Sequence, residues 1–205
     1  MKVLVACEYS AIVRDAFRAR GHDAWSNDII DCEGDSAYHI KGDALDLLKD
    51  GWDLLIAHPP CTYLANSSVR WLYDKRPSTK DCLRGIDRWK AMYEGSMFFR
   101  AFLEAPIGMI CVENPVPHKF ARGYIGEYTQ TIQPYQFGHL ESKRTCLWLR
   151  GLPQLMRTDD RTEEAMALPY GERCKTHYKG KSKDRGKDRS KFFTGFAEAM
   201  ATQWG

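Results

Sequence analysis

The stretch Trp52-Asp53-Leu54-Leu55-Ile56-Ala57-His58-Pro59-Pro60-Cys61 decides how this chain is read, because a mostly apolar run stops abruptly in a turn. A short apolar run bounded by prolines fits a strand buried on both faces, as in a parallel sheet. About fifty positions later the pattern recurs, with Ile107 to Val112 followed by Glu113-Asn114-Pro115. Two such strands offer a thiol, Cys61, and a carboxylate, Glu113, at their carboxyl ends. Ligands of open α/β sheets bind in the crevice outside those ends, so one crevice could hold both groups.

Working outward, Val3 to Cys7 reads as a buried strand and Ser10 to Arg20 as a helix, with Ile12, Val13, Ala16 and Phe17 on one stripe and Gly21 as its stop. His22 to Ser26 is a second strand reaching Asn27-Asp28. Ile29 to Lys41 reads as loop, and Ala44 to Lys49 as a short helix. Asp81 to Glu104 is a long helical stretch, and Thr129 to Ile132 and Thr145 to Leu149 are further strands. Phe193, Phe196, Ala197, Met200 and Ala201 have helical spacing, so Phe192 to Trp204 should dock back on the core. Strands alternating with helices predict an α/β, doubly wound, mostly parallel, Rossmann-like sheet. At 205 residues the expectation is a single domain, 1–205, with a short basic insert at about 151–191.

Hydrophobic residues are 43% of the chain, charged residues 28% and aromatic residues 12%, which places it among ordinary globular proteins rather than disordered or membrane ones. No apolar run approaches the roughly 18 residues of a bilayer span. Glu8, Arg14 and Asp15 interrupt the apolar start that could pass for a signal peptide, so a cytoplasmic location is expected. Seven cysteines, at 7, 32, 61, 82, 111, 146 and 174, are scattered singly, which fits a reducing compartment. Cys174 and His177 are a metal half-site at most, and no second pair completes it, so no metal is expected.

The net charge of +3 says little, but its distribution says more. From Glu172 to Lys191 there are nine Lys or Arg against three acidic residues. Such a segment lacks the apolar surface to order itself, and Lys175, Lys179 and Lys181 are candidates for phosphate contact. Between Cys61 and Thr79, Tyr63, Arg70, Trp71, Tyr73, Lys75 and Arg76 mix aromatic and basic groups without a clean period. This predicts a mobile active-site loop, with Tyr63 and Arg70 as candidate substrate contacts.

A cysteine thiolate can add to C6 of a pyrimidine, making C5 a carbon nucleophile, if an acid serves N3. Pro59-Pro60-Cys61 and Glu113-Asn114 supply both groups, and with them the chain resembles the DNA cytosine-5 methyltransferase family. By that resemblance Cys61 is the nucleophile, Glu113 contacts N3 and the exocyclic amine, and Asn114 orients the loop. The prolines stiffen the turn that presents the thiol, and the His58 imidazolium or a helix N-terminus could lower its pKa. Read alone, either tripeptide is only a strand-ending turn. An amino-methyltransferase would instead show Asp or Asn before Pro-Pro and an aromatic after it, which His58 and Cys61 do not match.

The resemblance also implies S-adenosyl-L-methionine as cofactor, DNA as substrate and a Rossmann-like methyltransferase fold. The family's first motif is a Phe and a glycine-rich turn, whereas this chain has Ala6-Cys7-Glu8-Tyr9-Ser10-Ala11, without glycine and hence without its positive-φ conformations. Cys7, Glu8, Tyr9, Ser10, Asp28, Asp43 and Pro59 are the candidate cofactor contacts. Asp28 is placed to grip ribose hydroxyls, and Asp43 resembles an adenine-contacting Asp; each is equally read as a turn or cap. Gln133 to Gly138 with Glu141-Ser142-Lys143-Arg144-Thr145 resembles the family's arginine motif in altered form. Arg144 is its candidate for the cytosine O2 or a phosphate, a surface ion pair explaining it equally well, and Lys143, which cannot reproduce an arginine fork, is a candidate substrate contact.

Too few residues separate that motif from the last helix for a full target-recognition domain. Weak sequence specificity, or an accessory subunit supplying recognition, is therefore expected. The duplex or single-stranded state of the DNA stays open. A modifier of free pyrimidine nucleotides at C5, and a catalytically silent nucleic-acid-binding relative, are the alternatives. The compact form suggests a phage or mobile-element protein acting in a bacterial cell.

Overall fold

The computed structural model describes residues 1–175 and 191–205. His177, Lys179 and Lys181 lie outside the described residues. The strands are β1 (Lys2–Ala6), β2 (Asp23–Asp28), β3 (His39–Lys41), β4 (Leu54–Ala57), β5 (Met109–Pro115), β6 (Gln130–Ile132) and β7 (Thr145–Arg150). They form one sheet in the order β3-β2-β1-β4-β5-β7-β6. The first five pair in parallel with one another, and β7 runs antiparallel to both β5 and β6. The expected doubly wound, mostly parallel, Rossmann-like class is what this chain adopts.

Side chains alternate across each strand, and here both faces are covered. Leu4, Ala6, Leu55, Ala57, Ile110 and Val112 pack with Met92, Phe99 and Phe102 of helix α2 (Gly85–Leu103). Val3, Val5, Leu54, Ile56 and Cys111 face the opposite way, onto Val13 and Phe17 of α1 (Ile12–Arg18) and onto Phe196 and Met200 of the last helix (Thr194–Gln203). Burial on both sides is why β1 and β4 read as unbroken apolar runs.

Several expectations are corrected. Residues 29–41 are not all loop, since His39–Lys41 pairs in parallel with Ser26–Asp28 after a 3-10 turn at Ser36–Tyr38. The short helix after Asp43 is a 3-10 turn, Ala44–Leu47, capped by the Asp43 carboxylate accepting from the Leu45 amide. β5 continues past Val112 through Pro115, because the antiparallel partner β7 supplies residues opposite Glu113 and Asn114. Helices α3 (Lys119–Ile125), α4 (Thr162–Ala167) and α5 (Tyr170–Arg173) were not anticipated, and the last helix is numbered α6 here.

The stretch after Cys61 has more regular structure than the expected loop. It contains an eight-residue 3-10 helix, Asn66–Tyr73, with Leu64 and Leu72 buried. Arg88 donates to the Thr62 carbonyl at 2.6 Å, and His118 Nε2 lies 3.0 Å from the Tyr63 carbonyl. An isolated bridge joins Ala65 to Pro117.

α6 starts so close to the chain ahead of β7 that a Cβ at Gly195 would collide with the Phe137 carbonyl oxygen. Gly195→Ala should destabilise by about 1–3 kcal/mol through overpacking. Gly123, inside α3, meets nothing within 4 Å. Gly123→Ala should therefore stabilise by about 0.5–1 kcal/mol through the helix-propensity gain. Urea unfolding midpoints that move in the same direction for both variants would contradict this packing.

Candidate active site

At the carboxyl edge of the sheet the strand register brings distant residues side by side. Ala57 is the partner of Val112, so the residues that follow, His58 and Glu113, are neighbours. His58 Nδ1 lies 3.2 Å from Glu113 Oε2. One residue on, Asn114 points to the other face and its Nδ2 donates to the Pro59 carbonyl at 2.7 Å. That buried bond clamps the Pro-Pro turn to the Glu-Asn segment. The Cys61 carbonyl accepts from the Leu64 and Ala65 amides, which closes the turn presenting the half-buried thiol.

Beside this junction, a cleft of about 160 Å³ is lined by Cys7, Asn27, Asp28, Ile29, Gly42, Asp43, Ala44, Pro60 and Phe98. Cavities of this size admit an aromatic ring. Of the expected cofactor contacts, Cys7, Asp28 and Asp43 converge here. Burial, with the added charges of Asp28 and Asp43, pushes the Cys7 thiol up to about 12, so it stays protonated. Pro60 rather than Pro59 reaches the cleft, and the next residue is Cys61. Cleft and thiol are thus separated by a single peptide.

The turn after β1 achieves its close approach without glycine. Cys7 and Ala11 take positive φ, 58° and 62°, in place of the lost glycines. The left-handed region costs a non-glycine residue about 1–2 kcal/mol. Glu8 offsets part of this strain from inside: it is 4% exposed and accepts from the Val13 amide at 2.7 Å and the Arg14 amide at 3.2 Å. Burial raises its pKa, while His58, those two amides and Arg14 pull it back. Glu8 therefore turns into the start of α1 rather than into the cleft. Tyr9 is buried, and Ser10 Oγ accepts from the Ile12 amide and lies 3.4 Å from Glu8.

Because β7 is antiparallel, it begins at the same edge where β5 ends, with Thr145 opposite Pro115. This places Lys143 and the exposed Arg144 beside the Glu113 segment. Lys143 Nζ stands 5.6 Å from the Phe193 ring. Of the other substrate candidates, Tyr63 carries Arg88 over its ring at 4.7 Å, and Lys175 is exposed just after α5. Arg70 stacks on Trp71 at 4.7 Å and lines a second, shallower cleft of about 410 Å³ with Trp71, Tyr73, Asp74 and Arg76. There the Arg76 guanidinium beside Asp74 holds that carboxyl down at about 2.

Burial raises the pKa of Cys111, and of Cys146 to about 12. Cys174 is also buried, so among the described residues only Cys32, Cys61 and Cys82 share partial access to solvent with Cys7. No group of three or more His, Cys, Asp or Glu that could hold a metal ion occurs among the described residues. No described helix is long and apolar enough to cross a membrane.

Asn27, Ile29, Ala44, Pro60 and Phe98 were not singled out from sequence. Phe98 lies mid-helix and looks like any core aromatic. Asn27 had a signal, being polar at the end of a buried strand: its Nδ2 donates to the Ile40 and Gly42 carbonyls, tying β2 to β3, while its buried Oδ1 has no partner.

No family model matches the chain, and no curated protein matches it. Among solved structures it is similar to a protein described as a DNA modification methyltransferase encoded within a prophage of E. coli, at 14% identity and a TM-score of 0.45. The match covers 82% of this chain and 55% of that one, so the chain spans little more than half the length of that neighbour.

Proposed function

We propose that this protein methylates cytosine C5 in DNA through a covalent Cys61 adduct, with S-adenosylmethionine as methyl donor. The observation that carries the reading is the junction of β4 and β5. There the Asn114–Pro59 bond fixes the Pro-Pro-Cys turn against Glu113, with Pro60 lining the neighbouring cleft. The Cys61 thiolate adds to C6 as N3 takes a proton from Glu113. The electron pair then available at C5 would take the donor's methyl group as the sulfonium–methyl bond breaks, leaving S-adenosylhomocysteine. Loss of the C5 proton to a base, departure of the thiolate and return of the N3 proton to Glu113 restore the aromatic ring.

The cleft suits the donor by its chemistry: two carboxylates, Asp28 and Asp43, for hydroxyl and amine donors, with Asn27 also in its lining. When bound, S-adenosylmethionine supplies an electrophilic methyl group. Asp28 would hold ribose hydroxyls of the donor, and Asp43, whose Oδ1 is engaged by the Leu45 amide, would contact its adenine. Asp28→Ala should weaken S-adenosylhomocysteine binding about 10-fold or more, the range expected for a charge-assisted hydrogen bond. Calorimetry on the full chain checks this, and unchanged affinity would move the cofactor elsewhere.

DNA is favoured over free nucleotides by the rim groups that have no use for a mononucleotide. Arg70, Trp71, Tyr73, Asp74 and Arg76 line a cleft on the segment that follows Cys61, where Asp74 is paired with Arg76 and the aromatic groups and Arg70 suit bases and phosphates of a strand. Lys143 and Arg144 contribute charge on the Glu113 side. The direct test is to offer labelled S-adenosylmethionine with DNA or with free cytidine nucleotides. Label in DNA supports the reading, and label only in the nucleotide replaces it with the nucleotide-level alternative.

A further inference from the structure

His58 stands in a setting that a strand-ending turn does not require. Its ring continues the α1 and α6 face of β4, and it and Glu113 are each 12% exposed. Nδ1 is 3.2 Å from Glu113 Oε2, while the buried Nε2 has no hydrogen-bond partner. The Phe192 ring covers the imidazole at 4.7 Å between centroids. The charged groups facing the pair are Glu8 after β1, which feels the His58 charge, and the Lys191–Glu33 ion pair on the segment that carries Phe192. The thiols of Cys111 and Cys146 lie in the field of Glu113, with Arg144 and Arg122 acting on Cys146.

A buried imidazole with one nitrogen unpaired is unfavourable, and an amide could orient Glu113 without leaving a ring nitrogen orphaned. What histidine adds is the capacity to take a second proton near neutral pH. We propose that His58 and Glu113 form a coupled dyad, in which His58 acts through Glu113 as the store of the proton that the pyrimidine N3 takes up. This rests on the cytosine methyltransferase reading above.

The loaded dyad holds two protons, either as imidazolium with carboxylate or as imidazole with carboxylic acid. When the Cys61 sulfur bonds to C6 and the C5–C6 π pair moves into the ring, N3 takes one proton from the Glu113 carboxyl. The dyad is left as a carboxylate accepting from Nδ1–H. When the thiolate departs, N3 returns the proton and the dyad is reloaded. His58 is thus a positioning residue that acts on the substrate only through the Glu113 carboxyl.

Two measurements on the full chain test this. The first follows the His58 ring nitrogens by NMR across pH, in the native protein and in Glu113→Gln. Loss of a carboxylate this close to Nδ1 should move the His58 ring-nitrogen resonances, and unmoved resonances overturn the dyad, whether or not methyl transfer is ever observed. The second compares methyl transfer by native protein and by His58→Asn, which keeps an amide donor near the Nδ1 position but cannot store a proton. The variant should lose about 100-fold, with the alkaline limb of its pH profile moved to lower pH and S-adenosylhomocysteine affinity unchanged. A native pH profile in His58→Asn overturns the storage role. Absence of transfer by native protein to every cytosine substrate overturns the methyltransferase reading and the storage role together, and leaves the NMR result to judge the coupling alone.

Discussion

The Cys61→Ala variant is expected to transfer no methyl group to cytosine, while folding normally and binding S-adenosylhomocysteine as tightly as the native protein. The loss is complete because no other route activates C5. Without sulfur on C6, the ring pair has no reason to localise on C5, and a neighbouring acid alone cannot create the carbon nucleophile. Four of the other six thiols are held back by burial. Cys7 and Cys146 are pushed up to about 12, Cys111 is raised by burial, and Cys174 is buried.

The fold should not notice the change. Cys61 is half-buried, and its backbone carbonyl, which holds the turn by accepting from Leu64 and Ala65, is unaffected by the side chain. Surface and half-buried truncations of this kind stay within about 0.5 kcal/mol. DNA carrying 5-fluorocytosine offers a second readout. The native protein should be caught as a covalent complex, because fluorine cannot leave C5 as a proton does, and Cys61→Ala should not. Retained transfer in the variant removes the covalent mechanism.

How much of this was legible depends on which physical effect carries each residue. β1 and β4 were readable because burial on both faces leaves an unbroken apolar run, and their carboxyl ends follow directly from the parallel sheet. β3 was not, since three residues, His39-Ile40-Lys41, show no period, and their pairing with Ser26–Asp28 is a tertiary fact. The end of β5 was misplaced for a related reason. Glu113 and Asn114 look like a polar turn, and only the antiparallel neighbour makes them strand.

The site was legible in its chemistry and illegible in its support. Cys61 and Glu113 stand out because their residue types and settings match a reaction. The Asn114 bond to the Pro59 carbonyl depends on register between strands fifty-five residues apart in sequence, which no local pattern encodes. Likewise the missing glycines after β1 suggested a turn without left-handed residues, yet Cys7 and Ala11 adopt that conformation. The inward carboxylate of Glu8, satisfying the start of α1, is what holds them there.

Glu113→Gln should lower methyl transfer by about 100- to 10,000-fold, the span typical of losing a positioned general acid. The amide has nearly the shape of the acid and can still face His58, so the β4–β5 junction and cofactor binding should persist. What it cannot do is give a proton to N3 as the ring accumulates charge. The adduct then has to form against an unneutralised ring, and the barrier rises in the step where Cys61 bonds to C6. The sign of the pH dependence follows from the same requirement. Native transfer needs a proton on the dyad and so should slow as pH is raised, whereas the residual rate of Glu113→Gln should not share that dependence. Rates of transfer measured across pH, with the 5-fluorocytosine complex as an independent count of adducts, decide the matter. If the variant stays within a few-fold of native and traps as fast, N3 receives its proton from another group and Glu113 serves only to hold the turn.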